Sequence, residues 1–281
     1  MTRERPSNIR SLQARIRNQA DWAGLPYGRF QHSIAVAIVG EILRTAAADS
    51  GLAIKGGTSL ELRFGTGFSR ASKDLDAVIG EDFDGFFEHL QLALRAGWQG
   101  FAGTASRPEI IEVTALADRP RRFKVQLTYF GRSFTTIPVE IAIAEIDTLS
   151  TVDLVPGPDL ASLGIPSVQP LPCLAVEHQA AQKLHACSQP DTEVFSNDRA
   201  RDLVDLQLLE SEIRERMEGT ATVCRRVFDT RAMHSWPPKL TIRPGWTRIY
   251  AEAALDLTGV APDVETAINR VQRLVEDLDA T

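Results

Sequence analysis

Hydrophobic positions in the first part of the chain recur with two different periods. Apolar residues at helical spacing, such as Ile34, Ala37, Ile38 and Ile42, alternate with short apolar runs of strand length. The helical pattern predicts helices at 8–20, 28–47, 58–63 and 83–97. The strand pattern predicts strands at 52–55, 74–79, 109–115, 123–129 and 134–143. This part of the chain is therefore predicted to form a mixed sheet flanked by helices.

The remainder of the chain has only helical periodicity. Five prolines between residues 155 and 172 interrupt both patterns, and this segment is interpreted as a linker between two lobes. Beyond it the spacing predicts helices at 173–187, 198–216, 219–231, 246–257 and 262–279. The predicted fold class is α+β, with a mixed α/β lobe over residues 1–160 and a helical lobe over residues 161–281.

Composition narrows the class of protein. The chain has 281 residues, 43% of them hydrophobic, which is enough for a sizeable core. It has no apolar run of membrane-spanning length and no apolar segment at its start, so we expect a cytoplasmic protein without a membrane partner. Its three cysteines lack the spacing of a zinc site or a disulfide framework.

Two aspartates one residue apart, Asp74 and Asp76, open the strand predicted at 74–79. Side chains two residues apart on a strand share a face and lie about 6.5 Å apart along it. Two carboxylates held there repel each other unless a cation lies between them. Mg²⁺, or Mn²⁺ in its place, accepts one or two protein carboxylates and completes its shell with water and phosphate oxygens. A solvated strand end is the alternative.

A glycine pair precedes these aspartates in the segment Lys55-Gly56-Gly57-Thr58-Ser59. The glycines allow a tight turn after the strand at 52–55, and the helix that follows presents free N–H groups that suit an anion. A phosphate beside a metal ion indicates a nucleotide. The segment is not a Walker P-loop, and a plain strand-to-helix turn is the alternative. Arg70 lies four residues before Asp74, where it could reach a phosphate oxygen or only close its loop.

A third carboxylate is needed if two metal ions are used, and Glu140 is the candidate. It lies within an otherwise apolar strand, where an acid without a partner is costly to bury. A metal ion is one partner that would explain it. Pairing with an arginine, or a position facing solvent, is the alternative.

The helical half contributes one lysine and two acids. Lys183 lies among alanines, where its ammonium group suits a point contact to a phosphate. Asp202 and Asp205 are three residues apart and share a helix face, so one of them could orient this lysine or accept a proton. A surface lysine and an ordinary Arg–Asp helix surface are the alternatives.

The net charge of −6 argues against a uniformly cationic surface. Basic residues nevertheless cluster locally, and such clusters either bind nucleic acid or are solvated surface charges. The relevant groups are Arg119, Arg121, Arg122 and Lys124, then Arg225 and Arg226, then Arg3, Arg5, Arg10, Arg15 and Arg17.

Taken together, these segments resemble the AbiEii-type nucleotidyltransferase toxin family, including its mycobacterial MenT branch, within the DNA polymerase β-like nucleotidyltransferase superfamily. The resemblance covers about half of the chain. The matching elements are 54–60, 72–76, 139–141, 181–184 and 201–206.

The resemblance implies a nucleotidyltransferase-like sheet lobe and a helical lobe that completes the active-site cleft. It assigns Asp74 and Asp76 to the metal-binding pair, Lys183 to the nucleotide-contacting lysine, and Asp202 to the catalytic region. The superfamily motif usually begins Gly-Ser, whereas here Thr58 or Ser59 would supply the hydroxyl group. Glu140 as the third metal ligand, and Lys55 and Gly56 to Ser59 as nucleotide-binding residues, complete the expected site.

The family resemblance also implies a toxin of a toxin–antitoxin system with a cognate antitoxin protein. The primary hypothesis is Mg²⁺-dependent transfer of a nucleoside monophosphate from an NTP to an RNA acceptor, the tRNA 3′ end, which blocks aminoacylation and translation. One alternative acceptor is a protein or a small hydroxylated molecule, and a further alternative is a non-catalytic NTP-binding module. Phosphorylation of Ser72, two residues before Asp74, is a further hypothesis for inactivation.

Overall fold

The structure is a computed structural model that describes residues 4–47, 51–80, 82–111, 119–145, 147–193 and 195–281. The chain forms two compact units. The first consists of Met1–Gly67 and Ala71–Leu174, and the second of Phe68–Arg70 and Ala175–Thr281. The prolines predict a division after residue 160, and this boundary stays a prediction. In the structure, the first compact unit ends at Leu174 and the second continues from Ala175.

The first unit is a mixed sheet with helices. Its helices are α1 (Ile9–Ala23), α2 (Tyr27–Ala46), α3 (Gly56–Phe64) and α4 (Phe83–Ala96). Its strands are β1 (Leu52–Lys55), β2 (Leu75–Ile79), β3 (Phe101–Ala105), β4 (Glu109–Ile110), β5 (Arg121–Tyr129), β6 (Arg132–Ile143), β7 (Val152–Val155) and β8 (Leu171–Leu174). A short 3₁₀ helix lies at Ala161–Leu163. The predicted α+β class is confirmed.

The eight strands of the described residues form one sheet in the order β3-β5-β6-β2-β1-β8-β7, with β4 paired to β5. The pairs β2–β6 and β1–β8 are parallel and the other pairs are antiparallel. β2 therefore lies in the middle of the sheet, where its two neighbours fix its position on both sides.

Three strands of the sheet were not expected from the sequence. β3 has a weak apolar pattern that includes a glycine, while β7 and β8 are only four residues long. β8 contains Pro172, which led to the interpretation of 155–172 as a linker, although this strand pairs with both β1 and β7. Of the strand predicted at 109–115, the structure contains Glu109–Ile110, and residues 112–118 lie outside the described residues.

The two faces of the sheet are packed differently. On β2, Leu75, Ala77 and Ile79 belong to the main core, which also contains side chains of α1, α2 and α4. Val78 points to the other face, where it packs in a much smaller apolar cluster. Because side chains alternate along a strand, Asp76 shares this second, less covered face with Val78.

The helices begin and end where local chemistry dictates. Asn8 caps α1 by accepting a hydrogen bond from the Ser11 backbone N–H at 3.0 Å, and Gly24 ends the helix with a left-handed φ of 66°. α2 is buried on nearly every side from Ser33 to Leu43, as its apolar spacing predicts.

The second unit is helical among its described residues. Its helices are α5 (Val176–Ser188), α6 (Arg201–Glu215), α7 (Met217–Arg231), α8 (Trp246–Ala254) and α9 (Val264–Asp279). Two large buried aromatic residues of this unit have hydrogen-bond partners for their polar atoms. Trp246 Nε1 donates to the Asn197 carbonyl at 2.7 Å, and Tyr250 Oη donates to the Ala261 carbonyl at 2.8 Å. Among the described helices, none has the length and apolar character needed to span a membrane.

Two leucines on α4 test the core assignment. Leu90 is fully buried, whereas Leu92 is 61% exposed on the same helix. Leu90→Ala should lower the free energy of unfolding by about 2–5 kcal/mol, because it leaves a cavity in the core. Leu92→Ala should change it by no more than about 0.5 kcal/mol. Urea unfolding of both variants measures the difference, and equal effects would contradict the packing of α4.

Candidate active site

A row of charged side chains crosses the sheet of the first unit. Asp76 on β2 is the cross-strand partner of Lys55 on β1 and of Glu140 on β6. Glu140 is in turn the partner of Arg122 on β5, which is paired with Glu109 on β4. Cross-strand partners point to the same face of a sheet. Five charged residues from five strands therefore lie side by side.

Asp74 lies immediately before β2 and is anchored through its backbone. Its carbonyl oxygen accepts hydrogen bonds from Thr58 Oγ1 at 2.6 Å and from Ser72 Oγ at 3.0 Å. The first of these bonds ties the beginning of α3 to the beginning of β2. Ser72 lies outside the strand, and its proposed phosphorylation stays a prediction.

The Asp76 carboxylate lies against the first residue of α3. Gly56 has a left-handed φ of 66°, and a Cβ atom there would lie 2.5 Å from Asp76 Oδ2. Glycine is therefore required at this position both by the backbone conformation and by the space that the carboxylate occupies. Gly57, the second glycine of the turn, lies within the first turn of α3.

The first turn of α3 has no side-chain cap, and the backbone N–H groups of such a turn suit an anion. Lys55 is the N-cap residue and makes no side-chain capping hydrogen bond, and the first turn contains no acidic residue. N–H groups at such a helix start attract phosphate. This is the feature that the Gly-Gly segment predicts.

The hydroxyl groups of Thr58 and Ser59 face the protein interior. Thr58 is 1% exposed and donates to Asp74, and Ser59 is fully buried. Burial raises the pKa of Cys173 to about 11, against the opposing effect of a hydrogen bond with Ser59. The roles of these two residues in nucleotide binding stay predictions. In this structure the groups of the turn that suit a phosphate are backbone N–H groups.

Glu140 is paired with a base. Arg122 Nη2 donates to Glu140 Oε2 at 3.0 Å, which is the arginine pairing considered as the alternative for this acid. That hydrogen bond, together with the negative charges of Glu140, Asp74 and Asp76, raises the pKa of Arg122. Among the described residues, no group of three or more histidine, cysteine or acidic side chains is arranged to hold a metal ion. Glu140 as a third metal ligand stays a prediction.

Asp74 and Asp76 have the right chemistry for a hard divalent cation. Both are partly exposed and offer oxygen donors, and Mg²⁺ uses one or two protein carboxylates with water and phosphate oxygens. The negative charge of Asp74 also acts on His32, where it opposes the burial that lowers the pKa of this imidazole. These two residues fit the metal-binding role expected of them.

The second unit contains a buried chain of alternating charges. Lys183 Nζ donates to Asp202 Oδ1 at 3.1 Å and to Asp205 Oδ2 at 2.6 Å. Asp205 also accepts two hydrogen bonds from Arg70, both at 2.8 Å, and Asp202 accepts one from Arg199 Nε at 2.7 Å. The two carboxylates are almost fully buried between three cations. Such a bidentate, charge-assisted network is rigid because each partner fixes the next.

Electrostatics keeps Asp202 charged. Burial opposes its negative charge, but the charges of Lys183 and Arg199, with a hydrogen bond from Lys183, outweigh burial and hold its pKa below the ordinary value. The contact agrees with the expectation that an acid of this helix orients Lys183. The catalytic roles of Lys183 and Asp202, and the phosphate contact expected of Arg70, stay predictions.

The sequence offers Asp202 and Asp205 equally as the acid that orients Lys183, and Asp205 makes the shorter contact to it. The available signal was its spacing of three residues from Asp202, which places both acids on one face of α6. Its pairing with Arg70 links residues 135 positions apart, and no local pattern indicates such a contact.

A mixed sheet that presents two neighbouring carboxylates beside a helix start without a side-chain cap is an arrangement that suits nucleotidyl transfer. The model of the AbiEii family, described as nucleotidyl transferase AbiEii toxin of a type IV toxin–antitoxin system, matches residues 39–277. The chain belongs to this family of nucleotidyltransferase toxins. Family membership implies an NTP substrate and an antitoxin partner.

Solved structures resemble the chain at low sequence identity. MenT4, a nucleotidyltransferase toxin from Mycobacterium tuberculosis H37Rv, is 18% identical with a TM-score of 0.50, over 95% of this chain and 98% of that one. This likeness supports the fold. The antibiotic-resistance factor ANT(2'')-Ia is 16% identical over 71% of this chain and 93% of that one, and its TM-score of 0.36 is too low to support a conclusion. None of the curated proteins matches the sequence significantly.

Two glycines with similar backbone angles test the contact between Gly56 and Asp76. Gly131 has a φ of 74° and nothing within 4 Å of an added Cβ. Alanine at either position should cost about 1–2 kcal/mol of stability, because both residues have left-handed conformations. Only Gly56→Ala should also lower nucleotidyl transfer, on the order of a hundredfold, since it displaces Asp76.

The measurements for this pair are urea unfolding and NTP turnover. A Gly56→Ala variant with the activity of Gly131→Ala would contradict the proposed importance of the close approach.

The charged network of the second unit predicts an acid-sensitive stability. Because the pKa of Asp202 is depressed in the folded protein, its stabilising contribution is complete above the ordinary value of 3.8 and is lost as pH falls below it. Between about pH 5 and pH 3, the wild type should lose more stability than Asp202→Asn. Asp256→Asn, which changes an exposed acid, should follow the wild type. Denaturant unfolding across this pH range measures the slopes, and parallel slopes for all three proteins would be inconsistent with this assignment.

Proposed function

We propose that this nucleotidyltransferase transfers a nucleoside monophosphate from an NTP to the 3′-hydroxyl of an RNA, the tRNA 3′ end, and so blocks aminoacylation and translation. The observation that carries the proposal is the position of Asp76 against Gly56 at the start of α3. This contact places an acidic group beside backbone N–H groups that suit a phosphate.

A divalent cation, Mg²⁺ or Mn²⁺, is proposed to be held by Asp74 and Asp76. Such an ion would neutralise charge on the triphosphate and polarise the phosphorus that is attacked. Within the protein, the anchoring of Asp74 by Thr58 and Ser72 keeps this carboxylate near the beginning of β2. Pre-positioned ligands avoid the cost of bringing two like charges together during binding.

The triphosphate is proposed to lie at the start of α3, where backbone N–H groups of the Gly56–Ser59 turn would contact it, with Lys55 as the adjacent cation. The oxygen of the acceptor hydroxyl forms a bond to the α-phosphorus and its proton is released to water, while pyrophosphate leaves with the electron pair of the broken P–O bond. Lys183 and Asp202 are proposed to take part on the strength of the family resemblance, supported by their hydrogen bond within the second unit.

RNA is proposed as the acceptor because the chain belongs to a family of toxins, and loss of charged tRNA would stop growth. A protein or a small hydroxylated molecule as acceptor is an alternative outcome of the experiment below. The cytoplasmic location expected from the sequence stays a prediction.

Substitution of the paired aspartates tests the proposal. Asp74→Ala and Asp76→Ala should each lower transfer at least about a hundredfold, because the metal ion contributes several kcal/mol of transition-state stabilisation. The assay incubates the full-length protein with each labelled NTP, total tRNA and Mg²⁺, and measures label in RNA and release of pyrophosphate. Asp256→Asn provides a control for an exposed acid.

Label in tRNA that depends on both aspartates and disappears with a chelator would support the proposal. Full activity of Asp76→Ala would contradict the metal assignment. Label in protein or in a small molecule, with none in RNA, would contradict the proposed acceptor while leaving the metal assignment intact.

A further inference from the structure

Strand β5 presents a polar surface on the same face of the sheet as the acidic residues. Its alternate residues are buried in the main core, and they are Phe123, Val125, Leu127 and Tyr129. The residues between them must point to the opposite face. Arg122 is one of these residues, and its contact with Glu140 confirms which face this is.

Lys124 and Gln126 continue this surface along β5, and Lys124 pairs with Pro138 of β6, level with the start of β2 where Asp74 lies. Both are exposed, and neither side chain has a hydrogen bond or ion pair in the part of the chain that the structure describes. Gln126 is flanked in register by Thr104 on β3 and Thr136 on β6, and both threonines are exposed. Together with Arg122, the surface thus has two cations and several neutral hydrogen-bond donors. We call Arg122, Lys124, Gln126, Thr104 and Thr136 the β5 track.

The β5 track starts beside the proposed metal site. Arg122 is the direct neighbour of Glu140, which is the neighbour of Asp76. Strands in a sheet lie about 4.8 Å apart, so the β-carbons of Asp76 and Arg122 are separated by roughly 10 Å. Lys124 lies two residues further along β5, about 6.6 Å beyond Arg122. This repeat is comparable to the spacing of successive phosphates along a single RNA strand.

The distribution of charge indicates an anionic chain as the occupant. Arg122 is 53% exposed although it contacts Glu140, so part of its guanidinium remains accessible. The nearest charge along β5 beyond it is the cation of Lys124. Amide and hydroxyl donors then provide neutral contacts to phosphate or ribose oxygens, as is common in contacts to a nucleic-acid backbone.

We propose that the β5 track binds the backbone of the acceptor RNA just upstream of its reacting 3′ end. Its contacts do not depend on base identity, because the donors of the track suit phosphate and sugar oxygens. The track would hold the strand while its terminal hydroxyl lies near Asp74 and Asp76. This inference rests on the proposed function and adds to it the surface that binds the acceptor.

Charge reversal at Lys124 tests the track. Lys124→Glu should raise the KM for RNA by about tenfold. It should also lower the slope of log affinity for RNA against log salt concentration by about one, which corresponds to one lost phosphate contact. Its kcat at saturating RNA and its affinity for NTP, measured by calorimetry without RNA, should stay at the wild-type values. Gln126→Glu should raise the KM for RNA by a smaller factor. Lys239→Glu makes the same charge change at an exposed lysine of the second unit and should leave all of these quantities unchanged.

Direct binding separates failure of the track from failure of the proposed function. The probe is a 5′-labelled single-stranded RNA with a free 3′-hydroxyl, and its binding to the full-length protein is measured by fluorescence anisotropy in the presence of a non-hydrolysable NTP. Weaker binding by Lys124→Glu than by Lys239→Glu would support the track. The proposal would be overturned if Lys124→Glu and Lys239→Glu bound RNA equally well. It would also be overturned if Lys124→Glu lost as much affinity for NTP as for RNA. Absence of any nucleotide transfer to RNA by the wild type would overturn the proposed function, and anisotropy would still decide whether the track binds RNA.

Discussion

Two carboxylates of equal charge are held at the start of the central strand β2 by backbone geometry. The Asp74 carbonyl accepts two hydroxyl hydrogen bonds, and the Asp76 carboxylate occupies the space that a side chain at Gly56 would need. Because β2 is the middle strand of the sheet, its neighbours fix its register on both sides. The repulsion between the acids is therefore opposed by the fold itself, which is the arrangement that a cation-binding site requires.

In the second unit, acidic side chains are stabilised by cationic partners rather than by backbone geometry. Its acids are buried, and burial of a charge is tolerated only when partners and hydrogen bonds compensate for the lost water. Asp202 and Asp205 each have two cationic partners, and Lys183 joins them. Removal of one member would leave a buried charge without compensation. The network therefore fixes the position of Lys183 more firmly than a surface lysine could be fixed.

The sequence allowed prediction of most elements whose hydrophobic period extended over several turns or residues. α2, α4, β5 and β6 are examples, and each lies close to its expected range. β7 and β8 were missed because four-residue strands near prolines carry too little periodic signal. Their stability comes from pairing with residues distant in the chain, which no local pattern records.

The candidate site was predictable to the extent that its residues are close in sequence. Asp74, Asp76 and the glycine turn formed a recognisable local motif, whereas the contact between Arg70 and Asp205 depends on tertiary structure. The direction of the Thr58 and Ser59 hydroxyls could not be predicted from the sequence either, since it depends on how α3 packs. Glu140 shows the same limit, because the sequence leaves a metal ion, an arginine partner and a position facing solvent as open explanations.

The burial of the Thr58 and Ser59 hydroxyls affects which mutations can inactivate such a toxin. If the anion is received by peptide groups at the start of α3, no exchange of one side chain for another deletes these donors. Spontaneous loss-of-toxicity mutations in this segment should then arise where the main chain itself is disturbed, at Gly56 above all. Elsewhere in the turn, replacements that preserve both the helix and the hydrogen bond from Thr58 to Asp74 should leave the toxin active.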